Sequence, residues 1–182
     1  MRLLTIILAA MLMSGCGKTK GPPSTDSLSS YNIAGLSIDL PLPPLESNFT
    51  LPPEAKELIK SLKTYELTHW DSNTKMSINR AVYNQPEADL DGSADGAIAQ
   101  VRAQPGVSDF TSSKSQVVVD GLQSRSVEAS YGFKNSKDRI IQFALIIKRK
   151  NILWQIQIVG DATYSDSLRN LKEIIFGSIK LS

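Results

Sequence analysis

The residues able to do chemistry are few and scattered. A single histidine, His69, stands in Thr68-His69-Trp70-Asp71. Alternate residues of an extended strand share a face, so His69 and Asp71 point the same way. A His–Asp pair of that kind orients a base for a serine nucleophile. No G-x-S-x-G elbow is present to supply that serine, and a strand-end histidine beside a turn aspartate satisfies the same residues. The acidic run 89–96 begins like a calcium loop, with Asp89, Asp91 and Asp95. The match fails where it matters: Ala94 stands where the sharp turn needs glycine, and Gln100 where a bidentate glutamate belongs. A helix N-terminus capped by Asp91 or Ser93 explains the same residues. Lys148-Arg149-Lys150 forms a basic cluster at an expected hairpin tip, and Lys134, Lys137 and Arg139 stand near another loop. Such residues suit lipid headgroups or an acidic partner, and equally suit solvated turns. Trp154 and Phe143 fit a core, while Trp70, among polar neighbours, fits a surface. Glycine-rich phosphate loops and His/Cys metal spacings are absent from the sequence. The expectation is a protein that is not an enzyme and uses neither cofactor nor metal.

The sole cysteine, Cys16, carries a different chemistry. One positive charge at Arg2 precedes an apolar run over 3–13, and the small residues Ser14 and Gly15 lead to Cys16. The run is too short to span a bilayer and suits the h-region of a signal peptide. Met13-Ser14-Gly15-Cys16 resembles the lipobox of bacterial lipoproteins, with Met13 where leucine is commoner. That resemblance implies a diacylglycerol on the Cys16 thiol, cleavage before it, and acylation of the new amine. Two or more acyl chains hold a protein stably, at about 0.8 kcal/mol per buried methylene. Gly17, where an aspartate would favour inner-membrane retention under enterobacterial sorting, points to the outer membrane, facing the periplasm. With its only cysteine there, the chain can form no internal disulfide and no cysteine-based site in the folded domain.

The elements that must carry these residues follow from pattern. Residues 1–15 read as signal peptide, 16–32 as lipidated cysteine and flexible tether, and 33–182 as one globular domain. The 182 residues carry a net charge of +2, too even a balance to argue for nucleic acid. A short strand is expected over 35–40, stopped by Pro41, Pro43 and Pro44. Pro52 and Pro53 open a helix expected over 54–62, with Leu58, Ile59 and Leu62 on one side. Strands follow over 64–70 and 75–83, then a helix over 89–102 with Leu90, Ala94, Ala97, Ile98 and Val101 at helical spacing. Asp120-Gly121 joins strands 116–119 and 122–131 as a two-residue hairpin. Residues 139–148 are apolar on both faces, as in a central covered strand, and Lys150-Asn151 turns the chain into another strand at Ile152. A closing helix over 165–176 turns Leu168, Leu171, Ile174 and Ile175 inward, and 178–181 adds a last short strand. The fold class is α+β: a mostly antiparallel sheet flanked by helices.

This order resembles the PsbP-like domain. The likeness lies in Val117-Val118-Val119-Asp120-Gly121-Leu122, in Leu153-Trp154-Gln155-Ile156, in the final Gly177-Ser178-Ile179-Lys180-Leu181 and in Gly35-Leu36-Ser37-Ile38-Asp39-Leu40-Pro41. It implies an α/β/α sandwich and a non-enzymatic binding or assembly role, as in photosystem accessory proteins, Ran-binding MOG proteins and assorted bacterial lipoproteins. The functional expectation is a membrane-anchored lipoprotein of the bacterial envelope. Its partners are expected to be the membrane, through the lipid, and another envelope protein. A small-ligand or metal-binding lipoprotein is the alternative, and an envelope hydrolase working through carboxylates stands behind it.

Overall fold

The computed structural model describes residues 27–47, 51–71, 74–134 and 136–182, without the side chains of 54 and 68–71. Signal peptide, Cys16 and most of the expected tether lie outside the described residues. Among the described residues ten strands and three α-helices follow in order: β1 Ser29–Ile33, β2 Leu36–Leu40, β3 Leu45–Ser47, α1 Pro53–Lys56, β4 Ile59–Asp71, β5 Thr74–Tyr83, α2 Leu90–Arg102, β6 Val107–Val119, β7 Leu122–Phe133, β8 Arg139–Arg149, β9 Ile152–Asp161, α3 Ser165–Gly177 and β10 Lys180–Leu181. Strands β3-β4-β5-β9-β8-β7-β6 form one seven-stranded sheet, antiparallel throughout. A small sheet, β1-β2-β10, joins the two ends of the domain.

The helices cover opposite faces of the large sheet. On one face Phe143, Leu145, Ile147, Trp154, Ile156 and Ile158 pack against Leu168, Leu171 and Ile175 of α3 and against Leu36, Ile38 and Leu40 of the small sheet. Each such side chain, fully buried, contributes roughly 1.5–3 kcal/mol. On the other face Leu90 and Ala94 of α2 meet Val127, Ala144, Ile146 and Leu153. The expected α/β/α sandwich is therefore present, and β8 and β9 run through its middle, buried by both layers.

Local chemistry sets the turns. Asp120 and Gly121 both take positive φ, 47° and 79°, as the tight primed turn between β6 and β7 demands. At the turn after β1, Gly35 has φ 86° and lies against the Trp154 ring, 3.7 Å from where a Cβ would sit. The Trp154 indole N–H donates to the Ala34 carbonyl at 3.0 Å, so the core tryptophan fastens the small sheet to the large one.

Several expectations need correction. The helix expected over 54–62 is the single turn α1; Ile59 and Leu62 already belong to β4, where pairing with Tyr83 and Ala81 outweighs their helical spacing. Among the described residues the first strand begins at Ser29, inside the segment read as tether, because 29–32 pair with β2. Strand β6 extends back to Val107, well before residue 116. It is an edge strand exposed on most of its length, so no apolar alternation marks it. Ile174, expected inward, is 39% exposed on the outer side of α3. The cap of α2 is neither Asp91 nor Ser93: the Asp89 carboxylate accepts from the Gly92 N–H at 2.9 Å.

Candidate functional site

Among the described residues the sequence-derived candidates do not gather into one site. His69 and Asp71 lie near the end of β4, but their side chains fall outside the described residues, as does Cys16. The acidic run does not converge. Asp89 caps α2, and the Ser93 hydroxyl donates to the Asp89 carbonyl at 2.6 Å. Asp91 accepts two parallel bonds from Arg125 of β7, Nε to Oδ1 at 2.7 Å and Nη2 to Oδ2 at 2.9 Å. Asp95 takes Lys114 of β6 at 2.5 Å. These hydrogen bonds, from Arg125 first, hold the Asp91 carboxyl below the usual aspartate range and raise the Arg125 guanidinium. Among the described residues no group of three His, Cys, Asp or Glu side chains could hold a metal ion. The acidic segment is a clamp that pins the start of α2 onto the β6–β7 hairpin.

The basic residues divide in the same way. Lys148 pairs with Glu87 at 3.1 Å, while Arg149, on the opposite face of β8, donates to the Ser182 carbonyl at 3.3 Å. Arg139, at the other end of β8, holds the Asp109 carbonyl at 3.3 Å. They form no shared patch. Phe143 and Trp154 are core residues, 1% and 3% exposed.

The face under α2 carries a feature that the chain order hides. The register lines up one residue from every strand: Ser47, Thr64, Asn79, Gln155, Ile146, Arg125 and Gln116. Helix α2 packs on β6, β7 and β8, over the second part of this row. There Ile146 is apolar and Arg125 is clamped by Asp91. The first part, on β3, β4, β5 and β9, is wholly polar. Thr64 is buried, Asn79 is 3% exposed and Gln155 8% exposed. Neither the amide nitrogen nor the carbonyl oxygen of Asn79 has a hydrogen-bond partner among the described residues. The same holds for the Gln155 amide nitrogen and the Ser47 hydroxyl. Gln157, also buried, lies one step along on the same face. Asn79 and Gln155 sit directly opposite each other in the ladder, yet their side chains do not bond. The arrangement sets amide donors, an amide acceptor and a hydroxyl side by side, without charge and closed to solvent.

Tyr131, buried beside β8, has its phenol pushed up to about 12 by loss of solvent. Its hydroxyl touches Gln142 at 3.5 Å and packs among Phe110 and Phe133 rings, a structural setting.

No protein-family model and no curated protein matches the sequence. Solved structures do match the fold. The cyanobacterial PsbP protein of Synechocystis sp. PCC 6803 superposes with a TM-score of 0.61 over 92% of this chain and all of its own, at 11% identity. LpqN of Mycobacterium tuberculosis, a protein involved in cell envelope biogenesis, gives a looser likeness, with a TM-score of 0.48 over 86% of this chain and 91% of its own, at 14% identity. At these identities the likeness concerns architecture alone. The antiparallel sheet between two helical layers is the fold of the cyanobacterial PsbP protein.

Proposed function

We propose that the protein is a non-catalytic lipoprotein of the bacterial envelope, cleaved before Cys16, lipidated there and held at the outer membrane facing the periplasm. Its role is to bind another envelope protein or assist assembly, without nucleic acid. The observation that carries this reading is Cys16: the chain's one thiol follows a charged start, a short apolar run and two small residues. The fold supports it in kind, since the acidic and basic residues with visible partners are spent on capping and clamping. No helix among the described residues is long and apolar enough to cross a membrane.

Crosslinking pull-down from intact cells tests the reading, with full-length protein beside Cys16→Ser. Labelled palmitate should enter the first form only, and Cys16→Ser should leave the membrane fraction. An envelope protein captured by the first and lost by the second supports an interaction module that depends on anchoring. Membrane retention of Cys16→Ser would refute the anchor. Recovery of no protein by either form would remove the partner role and favour the small-ligand reading.

A further inference from the structure

We infer that segment 41–45, which leads from β2 into the edge strand β3, rests on the lipid surface that holds the anchor. The inference deepens the proposal above and rests on its lipidated Cys16; it adds the face that the domain turns to the membrane.

The segment turns apolar groups outward. Leu42 is 37% exposed and Leu45 61%. The other large apolar side chains exposed among the described residues, Val118 and Ile174, stand on separate elements, β6 and α3. A single exposed leucine is ordinary. These two flank Pro43 and Pro44, and with Pro41 the segment has three residues without an N–H. Backbone donors that lose water without a new partner are what make entry into an apolar layer costly, and this stretch has few to lose. Glu46, next in the chain, is balanced by Lys63 at 3.2 Å.

The point of chain entry selects the occupant. Ser29 pairs with Leu40 in the β1–β2 ladder, and Leu42 follows two residues later. With paired Cα atoms about 5 Å apart and at most about 3.6 Å per residue, Leu42 lies within roughly 13 Å of Ser29. From Cys16 to Ser29 the chain can reach about 45 Å at most. A lipid on Cys16 therefore keeps a membrane within reach of the segment whose leucines face out. Two leucines hold a free domain to lipid only weakly, but a tether turns that weak contact into an intramolecular one at high local concentration. A protein partner would need no such coincidence between exposed leucines and chain entry.

The test uses the full lipidated chain on vesicles of phosphatidylethanolamine and phosphatidylglycerol. A nitroxide is attached at Pro43→Cys, an exposed position between the leucines, the Cys16 thiol being taken up by its lipid. Control chains carry the label at Val118→Cys or Ile174→Cys. Oxygen, which concentrates in the bilayer, and a water-soluble nickel chelate relax the label. Compared with the same label on a Cys16→Ser chain free in solution, the Pro43→Cys label on vesicles should lose most of its relaxation by nickel and gain relaxation by oxygen. The control labels should keep their solution values. Adding Leu42→Ser and Leu45→Ser should return the Pro43→Cys label to water. A label equally open to nickel on vesicles and in solution would overturn the inference, and this comparison needs only the chain with both leucines in place. Shielding that survives the double substitution would also overturn it. So would shielding seen in native membranes but absent on pure lipid, which would assign the segment to a protein. Palmitate incorporation and vesicle flotation, read on the same sample, report the anchor. An acylated chain that floats with its label in water fails this inference alone, whereas a chain without the acyl group fails the proposed function and this inference with it.

Discussion

The two faces of the large sheet are built by different rules. Toward α3 and the small sheet, β5, β8 and β9 present Met76, Ile78, Phe143, Ile147, Ile156 and Ile158, large side chains in one continuous apolar cluster. Toward α2 the same strands present Asn79, Gln142, Ala144, Gln155 and Gln157, with apolar packing confined to small residues and a few larger ones beneath the helix. On the first face stability comes from burial that needs no particular partner. On the second, α2 is held partly by directed contacts, the Arg125–Asp91 fork and the Lys114–Asp95 pair. A sheet whose stability is secured on one face can carry buried polar groups on the other.

The sharpest way to break this contrast is to hollow out the stable face. Phe143→Ala, at a position 1% exposed, should cost about 3–5 kcal/mol in denaturant unfolding. A loss below about 1 kcal/mol would mean that the cluster does not dominate stability. On the opposite face the sign should reverse: Asn79→Leu should gain about 1 kcal/mol by the same measurement, since it deletes unpartnered polar atoms.

The clamp on α2 makes a smaller, pH-dependent contribution. The folded Asp91 carboxyl binds its proton less readily than the unfolded one, which titrates near pH 4. Its stabilising effect is therefore complete above about pH 4 and fades as pH falls through the lower folded value. Thermal unfolding of the natural chain and of Arg125→Met should thus differ at pH 7 and converge in strong acid; equal melting curves at pH 7 would remove the clamp from the account. Smallest of all, Ile174→Lys on the outer side of α3 should change stability by no more than about 0.5 kcal/mol, despite a spacing that reads as core.

How much was legible followed from which face a strand shows. Strand β8 declared itself through apolar residues on both sides, and the Asp120-Gly121 turn through backbone chemistry. Strands β1 and β6 hid because an edge strand with polar side chains has no alternation to display. The single turn α1 misled because Leu58, Ile59 and Leu62 fit a helix locally, and only the distant partner β5 makes Ile59 and Leu62 extended. The polar row was illegible for a related reason. Asn79 and Gln155 each look like ordinary strand polar residues, and their adjacency exists only in the register. Asp91 and Asp95 were visible as a cluster, but their cations lie on another hairpin.

The small sheet that joins the ends of the domain has a mechanical consequence. The last strand is caught at several points: Leu181 donates to the Asp120 carboxylate at 2.8 Å, Arg149 holds the Ser182 carbonyl, and Lys180 pairs with Ser37. Strand β1, by contrast, is the outer edge of that sheet and pairs with β2 alone. Any load arriving along the chain from before Ser29 falls on β1 first. Peeling its five residues would pay out about 17 Å of slack before tension reached β2. That length is not free, because peeling β1 draws Ile33 out of the core cluster it shares with the seven-stranded sheet, so the strand resists the pull before it lengthens.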